Sequence, residues 1–183
     1  MKAFLIKNAV NLLNTLELIA LIIVFFATFS FQFIWLELPC PLCLLQRIGT
    51  LAICIGFLLN LRFGLRPSHY GLILLSALFT ALVALRQIAL HVVPGTGSYG
   101  PAIFGLHMYT WSFIIAMLVI IGTVILLSFD RQYFPSFRQS IYWKYLVNIF
   151  FSIIIIICLI NVISTYKECG LQQCPENPTH YLY

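Results

Sequence analysis

The segment LELPCPLCLLQRIG, Leu36–Gly49, places two cysteines three residues apart between two long apolar runs. Pro41 suits the first position of a helix that begins here. Cys40 and Cys43 then lie at a helix N-terminus, where backbone N–H groups and the helix dipole favour the thiolate. Arg47 follows one turn later on the same face and adds positive charge. Because a disulfide closing so small a loop removes little unfolded-chain entropy, the pattern predicts a reactive dithiol rather than a structural bridge.

The composition is that of an integral membrane protein. Of 183 residues, 62% are hydrophobic and 8% are charged, whereas a soluble domain carries about a quarter charged residues. A membrane-spanning helix needs roughly 20 apolar residues, and nothing alternates as the strands of a membrane barrel do. Five segments qualify, at about Asn11–Leu36, Leu44–Leu61, Tyr70–Val93, Met108–Phe129 and Tyr145–Thr165. We predict an all-α membrane protein, with a four-helix transmembrane bundle plus a fifth transmembrane helix.

Basic residues are distributed unequally between the two sides of these segments. The side that holds the N-terminus carries Lys2, Lys7, Arg62, Arg66, Arg131, Arg138 and Lys144. The other side carries Lys167 alone. The positive-inside rule therefore predicts a cytoplasmic N-terminus and an exterior C-terminus. Cys40, Cys43, Cys169 and Cys174 all fall on the exterior side, where disulfides persist. The few and scattered basic residues disfavour nucleic acid as a partner.

Arg47 and Arg86 are the basic residues inside predicted helices, and both lie in the outer half of the membrane. Arg86 belongs to RQIALH, about one and a half turns inward from His91. Charges at this depth are costly and mark functional sites by default, although a long side chain can also reach the surface. A quinone fits such a site, because its tail is lipid-soluble and its carbonyl oxygens accept hydrogen bonds. We predict that Arg47, Arg86 and His91 bind its head.

The C-terminal tail carries a second cysteine pair in KECGLQQCPENP, where Cys169 and Cys174 enclose four residues. A disulfide in so short a polar tail stabilises little, so a transferable disulfide is favoured. A zinc site built from the four exterior cysteines is the alternative, since both spacings are compatible with zinc. The oxidising side of the membrane and the nearby arginines argue against zinc, and no metal is predicted. Cys54 and Cys158, inside predicted helices, are interpreted as small apolar fillers.

Two motifs carry a family resemblance. CPLCLLQR (residues 40–47) resembles the Cys-x-x-Cys-x-x-x-[Gln/Glu]-Arg signature of the DsbB family of quinone-dependent thiol oxidases, and RQIALH resembles that family's third-helix motif. The resemblance covers about Leu12–Phe129. It implies a four-helix domain (residues 1–129) in the bacterial inner membrane that reoxidises a periplasmic DsbA-like thioredoxin-fold protein and passes the electrons to ubiquinone or menaquinone. By the same resemblance, Cys43 contacts the quinone, Cys40 exchanges with the second cysteine pair, Arg47 polarises the quinone, and His91 lies near its head.

The chain departs from the family pattern in the place of its second cysteine pair. That pair normally lies between the third and fourth helices, where the loop Pro94–His107 has no cysteine. Residues 130–183 instead add a cytoplasmic loop, a fifth helix and a periplasmic tail. We interpret the tail as a relocated shuttle, with redox-active disulfides Cys40–Cys43 and Cys169–Cys174. The departure leaves open a dedicated partner other than a general DsbA.

Other functions fit parts of the pattern. A reductase like the vitamin K epoxide reductases shares a Cys-x-x-Cys quinone bundle, but there the pair usually lies late in the chain. A non-enzymatic assembly factor that binds metal through its cysteines is a second alternative. A transporter is disfavoured, because the chain is short and lacks paired broken helices.

Overall fold

The computed structural model describes residues 2–92, 102–133, 141–175, 178 and 180–182, without the side chains of residues 2–5 and 131. Arg138, one of the basic residues on which the predicted orientation rests, and most of the loop Pro94–His107 lie outside the described residues. The long helices are α1 (Lys2–Ile34), α2 (Pro41–Phe63), α3 (Pro67–His91), α4 (Met108–Leu127) and α5 (Ile141–Cys169). All five are long and apolar enough to cross a membrane. The predicted all-α membrane class with five spanning helices is confirmed.

Several helices extend beyond the apolar segments that predicted them. The first begins at Lys2 rather than near Asn11, and the last continues to Cys169 rather than ending near Thr165. Hydrophobicity marks where a chain crosses the bilayer, whereas backbone hydrogen bonds continue a helix past that limit. Cys169 therefore belongs to the last turn of α5 instead of the tail.

Short elements lie at the two ends of α4. The strands β1 (Ala102–Ile103) and β2 (Leu106–His107) pair antiparallel just before it. Their turn uses Phe104 and Gly105, both at positive φ (51° and 79°), which matches the two-residue turns preferred in hairpins. The indole N–H of Trp111 donates to the Ile103 carbonyl at 3.0 Å and ties the hairpin to α4. A single 3₁₀ turn, Asp130–Tyr133, follows α4.

Helix α2 is the centre of the bundle, since it packs against α1, α3 and α5, and α4 packs mainly against α3. Glycines bring α2 and α3 close together. A Cβ at Gly49 would collide with the Thr80 side chain, and one at Gly56 would collide with Ile73. Small residues at such contacts drive helix packing in membranes. Cys54 is buried in this core as expected, but Cys158 is exposed on α5, so its interpretation as a core filler is wrong.

The bundle end opposite the first cysteine pair is held by buried amide and hydroxyl groups. The Tyr70 hydroxyl donates to Gln132 Oε1 at 3.0 Å and accepts from Asn14 Nδ2 at 3.1 Å. Asn60 Nδ2 donates to Asn14 Oδ1 at 3.2 Å. These bonds join α1, α2, α3 and the 3₁₀ turn. They hold the helices together at this end of the bundle. The other end, which contains Cys40 and Cys43, is called the cysteine end.

Candidate functional site

The first turn of α2 holds both cysteines of the Cys-x-x-Cys motif. Cys40 is the N-cap residue in an extended conformation, and its Sγ accepts the backbone N–H of Cys43 at 3.2 Å. Pro41 occupies the first helical position as predicted. Both cysteines are free thiols, with Cys40 buried and Cys43 half-buried. A hydrogen bond with the Cys43 side chain, together with burial, raises the pKa of Cys40 well above its usual range. Cys40 is therefore the thiol that keeps its proton.

Gln87 of α3 donates hydrogen bonds to both sulfurs. Its Nε2 lies 3.2 Å from Cys40 Sγ and 3.4 Å from Cys43 Sγ. Its Oε1 accepts from Gln46 Nε2 at 2.7 Å, which fixes the orientation of the amide. Gln87 is fully buried. An N–H donor aimed at a sulfur stabilises the thiolate, so this glutamine favours the reactive form of the pair.

Arg47 is held inside the bundle rather than extended to its surface. Its Nη1 donates to Gln32 Oε1 of α1 at 2.6 Å. Its guanidinium lies 5.3 Å from the centre of the Phe29 ring, within the range of a cation–π contact. Gln32 Nε2 in turn donates to the Tyr181 hydroxyl at 3.1 Å. One chain of hydrogen bonds therefore connects the C-terminal tail through α1 to Arg47.

A cavity of about 150 Å³ opens beside Cys43 and Arg47. Helix α1, the loop before α2, α2 itself and α4 form its walls, and Thr80 is the part of α3 that reaches it. The lining is mostly apolar, with Arg47 and Glu37 as its charged members. Burial raises the pKa of Glu37. A volume of this size holds one six-membered ring, and the side chains present suit a ring with polar oxygens on its rim.

The other two residues predicted to bind the quinone lie outside this cavity wall. His91 Nδ1 is 2.8 Å from the Gln87 carbonyl oxygen. Its ring stacks on Tyr109, with the two ring centres 5.5 Å apart, and Tyr109 itself lines the cavity. His91 therefore lies behind Tyr109 and does not itself line the cavity. Arg86 is exposed on the outer face of α3, and its role in the site stays a prediction.

The second cysteine pair forms a disulfide, Cys169–Cys174, at the cysteine end. Cys169 is 2% exposed, and its neighbour Glu168 is 1% exposed. Glu168 interacts electrostatically with Arg47 and with Cys43. The backbone N–H of Leu182 donates to the carbonyl of Lys167, so the tail folds back on the end of α5. In the described part of the chain, no three His, Cys, Asp or Glu side chains are grouped to hold a metal.

Gln87, Gln32, Tyr181 and Glu168 were not singled out from the sequence. One signal points to the first of them. The buried positions of α3 recur at intervals of three and four residues, at Ile73, Ala77, Thr80, Ala84 and Gln87. Gln87 continues this stripe, and its charged neighbour Arg86 falls off it. The sequence offers no comparable pattern for the other three residues.

These features define a multi-pass helical membrane protein with a hydrogen-bonded dithiol beside an apolar cavity. Residues 10–99 match the family model described as disulfide bond formation protein DsbB. Over this span, which contains Cys40, Cys43, Arg47 and Gln87, the chain belongs to the DsbB family of membrane proteins for disulfide bond formation. No curated protein and no solved structure matches the chain significantly. Helices α4 and α5 and the second cysteine pair lie outside the matched residues.

The contact between Gln87 and the sulfurs predicts a change in thiol reactivity. Gln87→Leu removes the N–H donor while keeping a similar volume. A hydrogen bond to a charged group is worth about 1.5 kcal/mol, which is about tenfold in thiolate population. We expect alkylation of reduced Cys40 and Cys43 by iodoacetamide at neutral pH to slow about tenfold, measured by mass spectrometry of their peptide.

The matched control is Gln172→Leu, the same change at an exposed tail position. It should keep the wild-type alkylation rate. Equal rates in Gln87→Leu and Gln172→Leu would contradict the role assigned to Gln87.

Proposed function

We propose that this DsbB-family protein is a thiol:quinone oxidoreductase that reoxidises a periplasmic DsbA-like thioredoxin-fold protein and passes the electrons to ubiquinone or menaquinone. The observation that carries the proposal is that Cys43 and Arg47 line the same apolar cavity. A redox-capable sulfur and a hydrogen-bond donor for a carbonyl oxygen thus face one ring-sized space. The proposed location is the bacterial inner membrane, with the N-terminus cytoplasmic, as the seven-to-one distribution of basic residues favours.

The residues around the cavity fit a quinone head. The apolar side chains of α1 and α4 accommodate the ring, and Arg47 is placed to donate to a carbonyl oxygen. Tyr109 supplies an aromatic wall, with His91 stacked behind it. A bound quinone would supply the acceptor for two electrons and two protons. Gln87 and the N-terminus of α2 favour the thiolate that gives up those electrons.

The second pair is proposed to receive electrons first. A thiolate of the reduced partner attacks the Cys169–Cys174 disulfide and forms a mixed disulfide, which its second thiol resolves. The reduced tail pair then attacks Cys40–Cys43, by the role that the family resemblance gives to Cys40. Support comes from the position of Glu168, the neighbour of Cys169, which interacts electrostatically with Cys43 and Arg47. The two pairs therefore belong to the same end of the bundle.

A dedicated thiol partner is the second candidate. The second pair follows α5 instead of the loop between α3 and α4, so a partner that docks on it meets a different surface. The tail is also fastened, through Tyr181 to Gln32 and through Leu182 to Lys167. A disulfide in a tail held by hydrogen bonds can be approached from fewer directions than a disulfide in a mobile tail. This restriction favours a small set of thiol partners.

The two-pair relay predicts different losses from the two cysteine pairs. Cys43→Ser should abolish ubiquinone reduction with any thiol donor, because no disulfide remains next to the cavity. Cys174→Ser should retain ubiquinone reduction by dithiothreitol, which attacks Cys40–Cys43 directly, but lose it with a reduced thioredoxin-fold donor. The measurement is the loss of quinone absorbance with purified protein in detergent.

Cys158→Ser is the matched control, since Cys158 is an exposed thiol on α5 outside both pairs. It should keep both activities. The relay is wrong if Cys43→Ser and Cys174→Ser behave alike with dithiothreitol.

The two arginines predicted to hold the quinone are distinguished by a pair of variants. Arg47→Gln should lower kcat/KM for ubiquinone at least tenfold, since a hydrogen bond from a charged donor is worth about 1.5 kcal/mol or more. Arg86→Gln should cause a smaller loss, because Arg86 is exposed on α3. Equal losses from the two variants would instead place both arginines at the quinone.

A further inference from the structure

Glu168 is a buried acid next to the second cysteine pair. It precedes Cys169 in the last turn of α5 and is 1% exposed. Helix α5 packs against α2, and at the cysteine end this contact brings Glu168 within electrostatic range of Arg47 and Cys43. One carboxyl group thus adjoins the disulfide Cys169–Cys174 along the chain and lies within electrostatic range of Cys43 across the helix interface.

The carboxyl group of Glu168 is not engaged as a structural acid. Neither of its oxygens has a hydrogen-bond partner among the residues that the structure describes. Arg47 directs its closest hydrogen bond to Gln32 at 2.6 Å instead. At the opposite end of the same helix interface, Arg62 Nη1 bonds Asn148 Oδ1 at 2.9 Å, as a structural contact would. A buried carboxylate without hydrogen bonds is costly, so a carboxyl group left in this state is suited to bind and release a proton.

We propose that Glu168 is the proton carrier for thiol–disulfide exchange between Cys169–Cys174 and Cys40–Cys43. The inference rests on the proposed relay between the two pairs and assigns its proton route. A thiol must lose its proton before it attacks a disulfide, and the thiolate that leaves must gain one. At a buried contact between two helices, bulk water is a poor source for either transfer. Glu168 lies where one group can serve both.

The exchange balances without an outside acid, base or oxidant. The first tail thiol gives its proton to the Glu168 carboxylate and attacks Cys40 Sγ, which breaks the Cys40–Cys43 bond and releases the Cys43 thiolate. Glu168 returns the proton to Cys43. The second tail thiol repeats the transfer and attacks the mixed disulfide, which forms Cys169–Cys174 and releases Cys40. Two electrons and two protons have moved from the tail pair to the first pair.

The groups that face Glu168 determine how its protonation responds to pH. Arg47 and Cys43 face it from α2, and the Cys169–Cys174 disulfide adjoins it on α5, where the side chain of the neighbouring Lys167 is exposed. The Arg47 charge favours the carboxylate, and a thiolate at Cys43 favours the protonated acid. When the Cys43 thiolate is released, Glu168 is therefore protonated and can return its proton to that sulfur.

The test follows the exchange directly and needs no quinone. Full-length protein with both disulfides formed receives one equivalent of dithiothreitol, and samples are acid-quenched, alkylated and analysed by mass spectrometry. The measured rate is that at which thiols move from Cys169 and Cys174 to Cys40 and Cys43. Direct attack on Cys40–Cys43 is measured in the Cys169→Ser, Cys174→Ser protein and subtracted.

Glu168→Gln keeps the shape of the side chain and removes its proton exchange. We expect the exchange rate to fall about 100-fold at neutral pH, in the range of general acid–base catalysis. We also expect the remaining rate to rise about tenfold per pH unit, since the attacking thiolate must then form by loss of its proton to solvent. Glu168→Asp should recover part of the rate and the flatter pH profile of the wild type. Lys167→Gln, at an exposed neighbouring side chain, also removes one charge, of the opposite sign, and should keep the wild-type rate.

Two results would overturn the proposal for Glu168. One is an exchange rate in Glu168→Gln equal to that of Lys167→Gln. The other is a lower rate with the wild-type pH profile, which indicates a positional role only. Failure of the proposed relay gives a different result, because thiols then do not pass from Cys169 and Cys174 to Cys40 and Cys43 even in the wild type.

Discussion

The partly buried Arg47 guanidinium, one helical turn after Cys43, is the constraint on which the cysteine end of the bundle depends. A charge at this depth needs partners from its surroundings. Gln32 and Phe29 of α1 supply a hydrogen bond and an aromatic face, and Glu168 of α5 lies within electrostatic range. The loop between α1 and α2 is short, and Pro41 starts α2. The two cysteines therefore lie at the first turn of α2, about one turn before Arg47 in the helix. The cavity occupies the space that α1 and α4 leave beside it.

The two ends of the bundle use different means of fixing the helices. At the end opposite the cysteines, amide and hydroxyl groups such as those of Asn14 and Tyr70 bond mainly to one another. At the cysteine end, polar groups such as Gln87 bond to sulfur or, like Glu168, lack a partner among the described residues. The first arrangement is that of a structural network, in which these particular donors and acceptors satisfy one another. The second keeps bonding capacity free for groups that change protonation or redox state.

The sequence was informative about the helices and the first cysteine pair. Apolar runs predicted five spanning segments because membrane crossing demands length and hydrophobicity alone. Cys40, Cys43 and Arg47 were predictable together because helix geometry fixes residues three and four apart on one face. The helix boundaries were less predictable from the sequence. Helix α5 includes Cys169, for example, because a helix can continue beyond the apolar run that indicates it.

Partners contributed by other helices were not predictable in the same way. Gln87 lies 44 residues from Cys43 in the chain, and its contact depends on the rotation of α3 against α2. The charge of Arg86 drew attention to an exposed position of α3, whereas the buried stripe from Ile73 onward leads to Gln87. Glu168 reaches the site only because α5 packs on α2, a contact that no local pattern encodes. Tyr181 is likewise connected through Gln32, across most of the chain.

The central claim is that Cys40 and Cys43 pass an electron pair to a quinone, and a single-turnover stoichiometry tests it most directly. The Cys169→Ser, Cys174→Ser protein, reduced and freed of reductant, is mixed anaerobically with ubiquinone. Quinol is measured by absorbance, and the thiols at Cys40 and Cys43 are counted by alkylation and mass spectrometry. The account predicts one quinol formed for each Cys40–Cys43 disulfide. Formation of that disulfide without quinol, or of quinol with both thiols still free, would contradict it.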